Sequence, residues 1–297
     1  MTMDIAPIKM LDVKNRLGEC VLWDARESAV LWTDIESSLF WRWSFADGEP
    51  QSFPLPERLG SFALTDTAGT YLGAFESGFA LFTPSENEFQ LMAPVSAKHK
   101  HLRMNDGRVD RQGRFWAATM AEQDPVGDEP WGTLWRHDGG SQATASLSGF
   151  KIPNSLCWSR DGGTMYFADS PQNTIWRYAF DSHSGPVGDP VIFAQTDKTV
   201  HPDGSCIDSE DHLWNAQWGA GEVVRYRPDG SIERRINLPA SQPSCVAIGG
   251  PNLDILFVTT ARVDLTEEQL MKQPLAGALF AYQIDIKGIP EVICETA

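Results

Sequence analysis

The chain has 297 residues, with 24 basic and 40 acidic side chains and a formal charge of −16. This acidity repels nucleic acid and anionic membranes, so neither is expected as a partner. Hydrophobic residues make up 42% of the chain, enough to fill the core of a large all-β domain.

The first residues, "MTMDIAPIKMLDVKNRLGE", contain no apolar signal core, and no later run reaches the length of a membrane span. The segment "IKMLDV" precedes the first hairpin and has no partner of its own. It is expected to supply a strand to the last sheet, around "GALFAYQI", because a ring left open would expose strand edges. Further along, "LTDTAGTYLGA", "VDRQGRFWAAT", "WSRDGGTMYFADS" and "IDSEDHLWNAQ" share one grammar: an apolar run, a polar turn, a second apolar run. These read as β-hairpins. Aromatic third strands follow, in "SLFWRWSF", "GTLWRH", "TIWRYAF", "EVVRYRPDG" and "GALFAYQI". The glycines of "WGAGEVVRY" lack phosphate-loop spacing and read as a tight hairpin turn.

Anchors at the first turn of each unit are Asp24, Asp66, Asp110, Ser159, Asp208 and Ile248, with gaps of 42, 44, 49, 49 and 40 residues. Four short strands per period of this length predict a six-bladed β-propeller, a single domain over residues 1–297. Five residues before each anchor stand Glu19, Ser61, Asn105, Asn154, Asp203 and Pro243. In a propeller the first strand of each blade lines the central channel, so these positions form a ring at one mouth.

Two carboxylates facing one narrow space repel each other unless a cation neutralises them. Glu19, Asp203 and the amide oxygen of Asn154 offer oxygen only, a set suited to hard divalent cations. Taken singly, such residues also serve as turn or capping groups, and the pattern alone leaves both readings open. The five cysteines (Cys20, Cys157, Cys206, Cys245 and Cys294) form no C-x-x-C pair, which fits a reducing cytoplasm. Those on inner strands read as small buried hydrophobes. His99 and His101 of "KHKHLR" read as ordinary surface or channel-rim histidines, with no third His or Cys to complete a metal set.

The stretches "LGECVLWD", "RMNDGRVDRQGRFWAATMAE", "IPNSLCWSRDGGTMYFADS" and "HPDGSCIDSEDHLWNA" resemble the motifs of the gluconolactonase family, which includes senescence marker protein 30 (regucalcin). The resemblance runs from about Gly18 to Arg262. It implies a six-bladed propeller with a central metal site and hydrolysis of a sugar lactone of the gluconolactone, galactonolactone, arabinonolactone or xylonolactone type. Carried over by position, the metal ligands fall on Glu19, Asn154 and Asp203. The substrate contacts fall on Arg103, Asn105 and Glu122, and Asp203 doubles as the catalytic proton acceptor. Calcium is the first expectation for the cation, with magnesium, manganese, zinc or iron as alternatives, and the assembly is expected to be a monomer or weak oligomer. Two departures stand out: Cys20 replaces a common glycine, and Gln123 replaces an acid found in some animal relatives. A non-enzymatic calcium-binding or protein-interaction propeller is the competing reading.

Overall fold

A computed structural model describes residues 2–3, 5–45, 48–95, 101–126, 131–137 and 139–295. Six sheets, each built on four antiparallel strands, are arranged as blades. Blade 1 comprises Gly18–Asp24, Ala29–Asp34, Leu39–Ser44 and Gln51–Pro54, and blade 2 Leu59–Leu64, Tyr71–Phe75, Gly78–Thr83 and Glu88–Pro94. Blade 3 comprises Leu102–Val109, Phe115–Ala121, Gly132–His137 and Ala143–Phe150, and blade 4 Pro153–Trp158, Thr164–Asp169, Thr174–Asp181 and Gly185–Gln195. Blade 5 comprises His201–Ile207, Leu213–Trp218, Glu222–Tyr226 and Ile232–Asn237. Blade 6 takes Pro243–Gly249, Ile255–Thr260 and Leu279–Gln283, with a short capped helix, Glu267–Lys272, between its second and third strands. The first strands of successive blades touch one another, and the last returns to the first. This is a six-bladed β-propeller.

The N-terminal segment closes the ring as its pattern predicts. Lys9–Leu11 pairs antiparallel with Leu279–Gln283, and Leu11 buries its side chain between blades 6 and 1. A second closure was not foreseen: Thr2–Met3 adds a fifth, parallel strand to the rim of blade 5.

The repeated turn grammar has a physical cause. In blade 3, Asp110 Oδ1 accepts from the backbone N–H groups of Gln112 and Arg114, while Oδ2 accepts from Trp116 Nε1 at 2.7 Å. In blade 5, Asp208 Oδ1 accepts from Glu210 and His212, and Oδ2 from Trp214 Nε1 at 2.8 Å. One carboxylate thus shapes the turn and satisfies the polar edge of a buried indole six residues later. Both anchors are fully buried. Six apolar clusters fill the six interfaces between adjacent blades. Trp32, Trp116, Trp158 and Trp214 are buried within them, and burying a large apolar side chain contributes about 3 kcal/mol.

The C-terminal residues cross the channel end nearest these turns. Ser209 donates to Lys287 O, Gly288 bridges to Asp208, Cys294 donates to Leu64 O and Glu295 to Gly113 O. Beneath this strap, Arg108 Nη2 meets Glu291 Oε1 at 2.6 Å. The opposite mouth carries Glu19, Asn105, Asn154 and Asp203 of the predicted ring, whereas Ser61 and Pro243 do not line the pocket there.

Candidate active site

Each first strand carries one more residue than the segment of the second strand it faces. In blade 1, Glu19 pairs with Thr33 and Leu22 with Leu31, and in blade 4, Asn154 pairs with Ala168 and Cys157 with Tyr166. The same irregularity lies between Met104 and Gly107 and between Pro202 and Ser205. Such bulges re-aim side chains. Cys20 and Ser155, which follow Glu19 and Asn154, adopt left-handed φ values of 47° and 61°. The strand entries are held from outside: Asp34 accepts from Arg16 and Leu17 N–H, and Asp169 from Lys151 and Ile152 N–H.

The structure brings Glu19, Arg103, Asn105, Asn154 and Asp203 to one pocket of about 380 Å³ at this mouth. Arg103 is buried, and its Nη1 donates to Asn105 Oδ1 at 2.8 Å and to Met104 O at 2.9 Å. Asn105 Nδ2 donates to Pro153 O at 2.9 Å and approaches Asn154 Oδ1 at 3.2 Å. Asn154 Nδ2 donates to Ser170 Oγ at 2.8 Å, and Ser170 Oγ donates to Pro202 O at 2.7 Å. This chain of donors fixes which end of the Asn154 amide is oxygen. Under Asp203, its backbone carbonyl accepts from Ser155 Oγ and Asn215 Nδ2.

The acids carry a visible electrostatic load. Burial, followed by the charge of Asp106, pushes the Glu19 carboxyl up to about 8. Burial, then Glu19 and Asp106, raise Asp203 well above the usual carboxylate range. Asp106 itself is pushed up to about 6 by burial. Among the described residues, Asp203 Oδ1 is buried without a hydrogen-bond partner, and Glu19 accepts only a long 3.4 Å bond from Cys20 N–H. Two under-satisfied carboxylates beside an amide oxygen fit a hard divalent cation. Among the described residues, no group of three or more His, Cys, Asp or Glu side chains is placed to hold a metal ion.

Glu122, expected as a substrate contact, is not among the residues lining the pocket; its Oε1 lies 3.6 Å from Arg103 Nε. Its two oxygens are already held by Arg58, at 2.7 and 2.9 Å. Arg58 was missed in the sequence because it lies outside the ring register. Asp106 was missed because strict alternation would turn it away from Asn105. His101 is buried and its carbonyl accepts from Glu122 N–H, whereas His99 lies outside the described residues. The "WGAGEVVRY" glycines form the turn between Leu213–Trp218 and Glu222–Tyr226, as expected.

Residues 17–262 match the model of the SMP-30/gluconolactonase/LRE-like region family. The chain is 34% identical to a 6-deoxy-6-sulfogluconolactonase of Pseudomonas putida, covering 93% of this chain and 94% of that one. It is 36% identical to an L-arabinolactonase of Azospirillum brasilense, covering 94% and 92%. The crystal structure of a calcium-binding protein, regucalcin, from Agrobacterium tumefaciens superposes with a TM-score of 0.91 at 29% identity, covering 99% of this chain and 98% of that one. The chain belongs to the SMP-30/gluconolactonase/LRE-like family.

Proposed function

We propose that this protein is a metal-dependent sugar lactonase that hydrolyses an aldonolactone to the aldonic acid. The observation that carries the reading is the convergence of Arg103 and Asn105 with the oxygen set Glu19, Asn154 and Asp203 on one pocket. Glu19, Asn154 and Asp203 would hold the divalent cation, calcium before magnesium, manganese, zinc or iron. When bound, the cation supplies Lewis-acid polarisation of the ester carbonyl.

The remaining chemistry belongs to this chain's side chains. Arg103 and Asn105 orient the lactone through its hydroxyls, and their mutual bond holds both in place before substrate arrives. Leu17, Met120 and Ile152 supply an apolar wall that excludes bulk water from the ester. Asp203 accepts a proton from the attacking water. The water oxygen bonds to the carbonyl carbon, the ring C–O bond breaks, and the proton passes to the departing ring oxygen. Water and lactone thereby become one hydroxy acid.

The closed ring of blades supports treating residues 1–297 as one domain. All five cysteines are buried free thiols, which supports a reducing, cytoplasmic compartment. The test is acid release from a panel of aldonolactones, with and without EDTA. Turnover abolished by EDTA and restored by calcium is expected. Calcium binding with no turnover across the panel would favour the non-enzymatic reading instead.

A further inference from the structure

The bulged ring has a second tier. Two residues before Glu19, Asn105, Asn154 and Asp203 stand Leu17, Arg103, Ile152 and His201, and all four line the pocket. On an extended strand, residues two apart share a face. This upper tier is therefore the surface that meets whatever lies above the ring. Of its four members, only Arg103 and His201 carry side-chain nitrogen. They belong to blades 3 and 5 and flank blade 4, which bears Asn154.

His201 is held in a definite orientation. Its Nδ1 lies 3.1 Å from Ser170 O and 3.2 Å from Asn173 Nδ2. As N–H it donates to the carbonyl, and as a lone pair it accepts from the amide, so Nδ1 is occupied by the wall in either tautomer. Among the described residues, no protein group bonds Nε2, which leaves that nitrogen to meet a ligand. Directly across the strand pair from His201 stands Trp218, which also lines the pocket and offers an apolar face to a sugar ring.

We propose that His201 is a specificity-determining residue that binds a hydroxyl of the sugar lactone through Nε2, two blades round the ring from Arg103. This inference rests on the lactonase reading. The ring would then be gripped from two blades, and a lactone lacking the hydroxyl near blade 5 would gain nothing from His201. A structural role is the alternative, since Ser170, whose carbonyl lies beside His201 Nδ1, also accepts from Asn154.

The test compares the calcium-loaded wild type with His201→Phe and His201→Leu. Two variants are used so that a folding failure in one does not decide the matter. The readout is the ratio of kcat/KM on aldonolactones to kcat/KM on δ-valerolactone, which has no hydroxyls. Loss of one neutral hydrogen bond predicts that this ratio falls about 2- to 12-fold, chiefly through KM. His201→Gln, which keeps a polar side-chain tip, should recover most of it. Calorimetric titration with the matching aldonolactam gives the same comparison as binding without turnover. An unchanged ratio and unchanged lactam affinity overturn the assignment. Equal losses on both lactones, with altered calcium content, place His201 behind Asn154 rather than against the sugar. Wild type that hydrolyses no lactone defeats the function reading; in that case the lactam affinities of wild type and variants still decide whether His201 contacts the polyol.

Discussion

Arg58 grips Glu122 with both arms of its guanidinium, Nη1 to Oε1 at 2.7 Å and Nη2 to Oε2 at 2.9 Å. The same guanidinium meets Glu76 at 2.6 Å and Glu36 at 3.2 Å. Bonding to Arg58 holds the Glu122 carboxyl below its ordinary range. Glu122 is therefore a pinned anion 3.6 Å from Arg103 Nε, and the role proposed for it is to steady that guanidinium. Glu122→Ala and Arg58→Ala should each lower kcat/KM by up to about 5-fold, the scale of a partly exposed ion pair. The double variant should be no worse than the poorer single one. Additive losses in this double-mutant cycle would show that the two residues act separately.

Arg103 and Asn105 are neighbours in the pocket but stand outside the proposed cation set. Arg103→Ala should keep its calcium yet lose about 10- to 150-fold in kcat/KM, the effect of one charged hydrogen bond. The loss should be larger on hydroxyl-rich lactones than on δ-valerolactone. Equal losses on both would assign Arg103 to the carbonyl or to the fold.

Cys20 occupies a backbone position with φ of 47°, where its side chain is strained. The thiol partly offsets that strain, since Phe62 N–H donates to its sulfur at 3.3 Å. Removing the thiol while keeping Cβ leaves only the strain. Cys20→Gly should therefore be more stable than Cys20→Ala by about 1 kcal/mol, although it is the smaller residue. Urea unfolding of the two variants measures the difference, and a more stable alanine variant would contradict the backbone argument.

Closure by the N-terminal strand is testable by truncation. Removing residues 1–13 strips Lys9–Leu11 from blade 6 and bares the buried edge Leu279–Gln283. The expected outcome is a lower Tm and concentration-dependent aggregation, because an apolar strand edge templates pairing. Removing only residues 1–4 should cost much less, since blade 5 keeps four strands. Light scattering during a thermal ramp distinguishes the two. Equal behaviour would mean that blade 6 does not depend on this strand.

Much of this architecture was legible because it repeats. Asp110 and Asp208 sit six residues before a tryptophan for one reason, and five residues before each the chain reaches the channel mouth. That spacing located Asn105 and Asp203, and the same count located Glu19 and Asn154. Asp106 was hidden because the rule of alternating faces fails at a bulge: the extra residue leaves Asp106 near enough to raise both Glu19 and Asp203. Arg58 and the strap were hidden for another reason. Arg58 meets carboxylates 22, 18 and 64 residues away, and Arg108 meets Glu291 across 183. Such pairings follow from blade closure and leave no local pattern.

If the ring acids hold a cation as proposed, stability should depend on pH and cation together. Without a cation, burial and then the charge of Asp106 push the Glu19 carboxyl up to about 8, against 4.5 for the ordinary group. Below pH 4.5 both folded and unfolded chains hold the proton, and the group has no effect on folding. As pH rises towards 8 the unfolded chain loses its proton more readily, so the metal-free fold loses stability, and the loss is complete above about 8. Asp203 shifts in the same direction. A divalent cation reverses the effect because it favours both carboxylates in their charged forms and releases their protons. Calcium should therefore raise Tm only slightly at pH 5 and several-fold more at pH 8.5, each measured against EDTA. In Asp203→Ala the calcium-induced rise should largely vanish, with the fold retained and metal content below one ion per chain. Equal calcium shifts at both pH values would remove the paired carboxylates from the cation site, and full metal content in Asp203→Ala would remove Asp203.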